Sequence, residues 1–171
     1  DRVSQRVIHV PASQKRTVLV ELLSDAAMSR TLIFTRTKRG ADRVARHLET
    51  AQITAAAIHG NKSQRQREDA LAAFKSGDTR VLVATDIAAR GIDVENVTHV
   101  INYELPDVPE SYVHRIGRTA RAGAEGDAIS LCDSEERTQL RDIERLARQT
   151  IPSEARGGSD PAGDREAAAE R

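Results

Sequence analysis

Between positions 112 and 121 the chain reads Tyr112-Val113-His114-Arg115-Ile116-Gly117-Arg118-Thr119-Ala120-Arg121. Three arginines and a histidine crowded together repel one another unless an anion neutralises them. A helix running on from Pro109 would stack His114, Arg118 and Arg121 on one face, at spacings of four and three. Gly117 and Gly123 predict an earlier stop, with the last two arginines on a tight turn. Either arrangement aims cations at one point, as a clamp on a transferring phosphoryl group requires. A bare R-x-x-R pair would read as a solvated basic turn; the length of this string favours the clamp.

Three further strings carry polar chemistry. In Val81-Leu82-Val83-Ala84-Thr85-Asp86, followed by Arg90-Gly91-x-Asp93, an apolar run ends in a hydroxyl and a carboxylate before a helical turn. An anion can bind there, although Thr and Asp are also ordinary N-caps. In His59-Gly60-Asn61-Lys62-Ser63-Gln64-Arg65-Gln66-Arg67, Gly60 permits close backbone approach, and Ser63 can cap a helix that projects Gln64 and Arg67. Backbone N–H groups and an arginine at a helix start suit a phosphodiester chain, and a solvated helix start is the plainer alternative. Thr35-Arg36-Thr37-Lys38 is the weakest of the four, a strand end with hydroxyls and cations that a polar loop would also supply.

The elements that must position these strings alternate regularly. Apolar runs at Val7–Val10, Thr31–Thr35, Ala55–Ile58, Val81–Ala84, Val97–Tyr103 and Asp127–Cys132 predict strands. Between them, periodic stretches predict helices over Lys15–Met28, Lys38–Thr50, Ser63–Lys75 and, last, Ser134–Gln149. Short apolar runs with little polar alternation fit a parallel sheet covered on both faces, hence an α/β fold. Function in such sheets collects at the carboxyl ends of the strands, which here follow Phe34, Ile58, Ala84 and Tyr103. From Pro152 to Arg171 no bulky apolar residue occurs, which predicts one domain over 1–151 and a disordered tail over 152–171. Arg156-Gly157-Gly158 in that tail is a single RGG triplet and reads as linker.

Composition narrows the classes. The chain has 26 basic and 26 acidic residues, so no global charge marks a nucleic-acid partner. None of the four lysines follows a glycine, so no Walker A loop is present to cradle nucleotide phosphates. There is no Asp-Glu-x-Asp run to hold magnesium, and the five histidines make no zinc spacing with the lone Cys132. Cys132 lies in the apolar run Ala128–Cys132 and reads as a buried reduced thiol. No apolar stretch is long enough to span a bilayer, and a soluble, cytoplasmic protein with no membrane partner is the expectation.

Taken in order, these strings resemble motifs IV, IVa, V and VI of the C-terminal RecA-like domain of DEAD-box RNA helicases, in superfamily 2. They are a strand ending in Thr-Lys, His-Gly…Gln-x-x-Arg, Ala-Thr-Asp-x-Ala-x-Arg-Gly-x-Asp and His-Arg-Ile-Gly-Arg-x-x-Arg. The resemblance covers roughly residues 5–150 and departs at Ala120, where many members carry glycine. It implies a three-layer RecA-like fold with a mostly parallel central sheet. It implies further that Arg118 and Arg121 reach the γ-phosphate of ATP with His114 beside them, and that Gly91 and Asp93 approach the nucleotide. By the same resemblance Thr37, Gly60, Gln64, Arg67 and Thr85 line an RNA backbone, and Arg90 and His114 join two domains in a closed state. ATP and magnesium would be held mainly by an N-terminal RecA-like domain of the same protein, so this domain alone should be inactive. RNA contact through these positions, led by Arg67, neutralises about one to three phosphates, for a salt slope near −1 to −2 at about 0.7 per phosphate.

Two alternatives stay open on the residues. Another superfamily 2 motor acting on DNA would share the fold and the arginines, although His114-Arg115 opening the last motif favours RNA. A non-enzymatic RNA-binding module would have no need of a ribose-facing Asp93.

Overall fold

In the computed structural model, residues 3–90, 92, 94–119 and 125–156 are described. Seven strands form one sheet in the order β3-β4-β2-β5-β6-β1-β7: β1 Val3–His9, β2 Thr31–Phe34, β3 Ala55–Ile58, β4 Val81–Ala84, β5 His99–Asn102, β6 Gly126–Cys132 and β7 Ser153–Ala155. Every pairing is parallel. The helices are α1 Lys15–Leu23, α2 Lys38–Thr50, α3 Gln64–Ser76, α4 Asp86–Ala89, α5 Pro109–Ile116 and α6 Arg137–Ala147. None of them is long and apolar enough to cross a membrane.

The layers follow from the two-residue period of the strands. Ile33, Val81, Val83 and Ile101 point to one face, where Leu19 and Leu23 of α1 and Val44 and Leu48 of α2 cover them. Leu32, Leu82, Ala84 and Val100 point to the other, under Phe74 of α3 and Ala88 and Ala89 of α4. On that side α5 and α6 bury Tyr112, Ile116, Leu140 and Ile143 against Val7 and Ala128. Buried on both faces, β2 and β4 have no polar side to alternate with, and this is why they read as apolar runs; β5 is as buried but carries His99 and Asn102 at its ends. The α/β fold with three layers is as the resemblance implied, with the described sheet wholly parallel.

Local chemistry sets the helix ends. Thr37 caps α2 by accepting from the Gly40 N–H at 3.0 Å. Ser63 and Gln66 form a reciprocal capping box at the start of α3, and Gly77 closes it at a left-handed φ of 88°. Helix α1 stops at Leu23, short of the expected Met28, because the Asp25 carboxylate takes the Ala27 N–H in a tight turn. Met28 is still 4% exposed, so its apolar character reports burial rather than helix. Helix α6 begins at Arg137, three residues later than expected, after a 3-10 turn capped by Asp133 and Glu136.

One boundary needs correction. Disorder was expected from Pro152, yet Ser153–Ala155 add β7 to the sheet edge beside β1. The Val7 N–H donates to Pro152 O at 2.8 Å, and the Arg156 N–H donates to His9 O at 2.9 Å. Arg6 pairs with Glu154 at 2.7 Å, and Ile151, 3% exposed, anchors the segment in the core. Residues 157–171 lie outside the described residues.

Candidate functional site

All strands being parallel, their carboxyl ends share one edge of the sheet, and the four motif strings emerge there. Adjacent strands β3, β4 and β2 deliver Gly60, Thr85 and Thr37; α4 and α5, which follow β4 and β5, deliver the cations.

Helix α5 ends at Ile116 with Gly117 as its C-cap, so His114 is on the helix and Arg118 on the turn beyond it. A cleft of about 100 Å³ opens between α4 and α5, lined by Phe34, Asp86, Arg90, Ser111, His114 and Arg118 among others. His114 and Arg90 are exposed, and Arg118 is half-buried with one N–H donated to the Ile92 carbonyl at 2.8 Å. Thr119 is buried and donates its hydroxyl to Val97 O at 2.7 Å, which pins the turn carrying Arg118 to the segment that leads into β5. Arg121, Gly91 and Asp93, together with Ala120, lie outside the described residues.

Arg115, to which the sequence reading gave no role, is held inside the domain. It is 1% exposed, and its fork grips Asp86 through Nε at 2.6 Å and Nη2 at 2.8 Å. Its Nη1 donates to the Glu104 carbonyl at 2.7 Å and to Asn102 Oδ1 at 3.3 Å, and its guanidinium lies 5.2 Å from the centre of the Phe34 ring. Asn102 in turn donates to Ser130 Oγ at 3.0 Å. One buried cation therefore ties together the ends of β2, β4, β5 and β6 and neutralises the carboxylate that reaches the cleft.

The second group sits beside the first. Thr37 is exposed, and while its oxygen caps α2 its hydroxyl proton remains to be donated. Lys38 donates to Asn61 Oδ1 at 3.1 Å, and a side chain at Gly60 would meet its Cε and Nζ at 3.2 and 3.3 Å. The structure thus brings Thr37 and Gly60 together across a lysine that sequence reasoning left out of the site. Only its place in the weakest string could have signalled it. His59 is buried, accepting from the Asn61 N–H at 3.1 Å and sharing a hydrogen with Asp42 at 2.9 Å, so it shapes this loop from beneath. Burial works to raise the Asp42 carboxyl, but His59 and Lys62 outweigh it and hold the group below the usual carboxylate range. Arg67 is half-buried and donates to the Ala88 carbonyl of α4 at 3.3 Å, whereas Gln64 is exposed and bonds only Glu68 among the described residues. Thr85 is 7% exposed and is the N-cap of α4 without a side-chain capping bond. Arg36 faces three acids, Glu104, Asp107 and Glu136, at 3.4–3.7 Å, so its charge is balanced within the domain.

Among the described residues no cluster of His, Cys, Asp or Glu could hold a metal ion. Cys132 is free and buried, and burial pushes its thiol up to about 12, as its apolar setting suggested.

Residues 14–123 match the family described as the helicase conserved C-terminal domain. The chain belongs to that family. Its relatives set it among the DEAD-box RNA helicases. It is 49% identical over 138 residues to the probable ATP-dependent RNA helicase DDX4 of Bos taurus, a match covering 81% of this chain and 19% of that protein. The same figures hold for DDX4 of Macaca fascicularis, so the chain spans about a fifth of the length of these curated relatives. Among solved structures, the DEAD-box protein SrmB of E. coli superposes with a TM-score of 0.85 at 35% identity, over 92% of each chain. Domain 2 of the DEAD-box helicase Mss116p, solved bound to an RNA duplex, superposes with a TM-score of 0.81 at 26% identity, over 94% of this chain and 66% of that one. This DEAD-box C-terminal domain shares with them the RecA-like α/β sheet.

Proposed function

We propose that this chain is the second motor domain of an ATP-dependent RNA helicase and completes an ATPase site whose other half lies on an N-terminal RecA-like domain. The observation that carries the reading is the cleft between α4 and α5. It presents His114, Arg118 and Arg90 at the carboxyl edge of the sheet, while the sequence holds no Walker A loop to bind the phosphates themselves. In this reading Arg118 and Arg121 act on the γ-phosphate, Gly91 and Asp93 approach the nucleoside, and Arg90 and His114 meet the first domain when the two close. ATP and magnesium are held mainly by that first domain. What this domain supplies is preorganised positive charge, delivered only on closure.

RNA is the polymer in this reading, with its backbone running past Thr37, Lys38, Gly60, Gln64, Arg67 and Thr85. Exposed hydroxyl, ammonium and glycine backbone on neighbouring strand ends favour contact with phosphate and sugar over base reading. Coupling to the nucleotide has a physical route, because Arg67 rests on Ala88, two residues from both Asp86 and Arg90. Duplex unwinding follows from closing and opening the two domains on that backbone.

The isolated chain should release phosphate from ATP no faster than buffer, with or without RNA, because its sequence has no Walker A loop to hold the β-phosphate. Phosphate release measured on the pure chain tests this. RNA-stimulated turnover by the chain alone would contradict the divided site.

A further inference from the structure

The α1–α2 face of the sheet carries a groove of about 660 Å³ that belongs to none of the four motifs. Arg16 of α1 and Arg43 and Arg46 of α2 line it, with the Tyr103 ring among its walls. Arg39, four residues before Arg43, continues the stripe toward Thr37, since positions 39, 43 and 46 share one side of a helix.

All four arginines are exposed, and none has an ion-pair or hydrogen-bond partner for its guanidinium among the described residues. A merely solvated face would interleave acids, as α3 does with Arg65–Asp69 and Gln64–Glu68, and α6 with Arg145–Asp142. Here the acids of α2 point elsewhere: Asp42 serves His59 and Lys62, and Glu49 accepts from the Ala55 N–H. The one carboxylate lining the groove, Glu104, is engaged by the Arg36 backbone and guanidinium. Arg16 and Arg43 sit close enough to the Tyr103 hydroxyl to oppose the burial that pushes it up to about 12. The groove is therefore a local surplus of positive charge in a chain of zero net charge.

We propose that this groove is a second RNA-backbone site, which holds single-stranded RNA flanking the segment bound at Thr37 and Gly60. It rests on RNA being the ligand of that loop. Arg39 to Arg46 spans about 10 Å at 1.5 Å per residue. Along the axis of a stacked strand the charges recur about every 3.4 Å, so the stripe spans about three such steps. Continuity favours RNA over an acidic protein: α2 begins beside Thr37, and the stripe runs on from it past a single carboxylate, Glu104, which Arg36 engages.

The test is the salt dependence of RNA binding by the whole chain, read by fluorescence anisotropy with uridine oligomers of about 20 and about 6 nucleotides. Three added phosphate contacts, at about 0.7 each, steepen the slope of log K against log salt by about 2, to near −3 to −4 on the long oligomer. The triple variant Arg16→Gln, Arg43→Gln, Arg46→Gln should return it to −1 to −2, with its melting curve and its binding of the short oligomer unchanged. Between 50 and 200 mM salt the wild type then loses about 16-fold more affinity than the variant. Equal slopes for the two, in a chain whose binding still needs Arg67, overturn the groove alone. A wild-type chain that binds no RNA overturns the RNA reading and the groove with it. Polyglutamate competing as well as RNA of equal charge also overturns the proposal, and makes the groove an acidic-protein face.

Discussion

The guanidinium of Arg115 is saturated by Asp86, Asn102 and Glu104, while Arg118, three residues on, lines the open cleft. In sequence the two look alike, because the acid that claims Arg115 lies 29 positions away and only the fold brings it near. Removing Arg115 strips charge-assisted hydrogen bonds from Asp86, whose side chain is 37% exposed and open to water, at a cost of roughly 1.5–3 kcal/mol. Arg115→Ala should therefore lower the stability of the isolated chain by that amount in urea unfolding, with little change in the denaturant slope. Arg115→Lys should recover only part, since a point charge cannot replace a two-pronged fork. A loss under about 1 kcal/mol for the alanine variant would mean that Asp86 finds another partner, in which case Arg115 does not hold the strand ends together. His114, by contrast, stays exposed beside the cleft, because a side chain on the outer face of a short helix followed by glycine has little that can redirect it.

Elements were legible wherever burial and periodicity agreed. Lys38–Thr50, Ala55–Ile58 and Val81–Ala84 fall where pattern put them, because each is an apolar run or stripe with a clear cap or turn at its ends. Strand β7 was not legible: Ser153-Glu154-Ala155 is exposed throughout and pairs through its backbone and one ion pair, neither of which leaves an apolar signature. Its anchor is Ile151, which reads as the last residue of the domain and acts as the pin of an edge strand. Ile151→Ala should cost about 2–5 kcal/mol, as other large-to-small changes in cores do. Hydrogen exchange should then show early loss of protection in β1 at Val7, whose N–H is held by Pro152 O. Protection at Val7 unchanged in that variant would mean that β1 is secured by β6 alone.

At the scale of the molecule, a parallel sheet gathers two sets of contacts on one edge, the cleft of His114, Arg118 and Arg90 and the line of Thr37, Lys38, Gly60 and Arg67. Alternating strands and helices made that edge legible from sequence. The α1–α2 groove was not, because its arginines come from two separated helices whose shared face only packing defines. The central claim is that the cations after α5 act on a phosphate that another domain holds. In the complete helicase, an arginine finger is worth roughly 10³–10⁵ in rate, or about 4–7 kcal/mol of barrier. Arg121→Ala should accordingly collapse RNA-stimulated ATPase while leaving the RNA affinity without nucleotide nearly unchanged. Arg67→Ala should show the reverse emphasis, with RNA affinity falling first and turnover largely recovering at saturating RNA. The most direct measurement is kcat at saturating RNA for these two variants beside the wild type. A fall of at least about 10³-fold for Arg121→Ala, with Arg67→Ala near wild type, is the predicted result. Turnover above about a tenth of wild type for Arg121→Ala would contradict the assignment and leave Arg118 as the candidate finger.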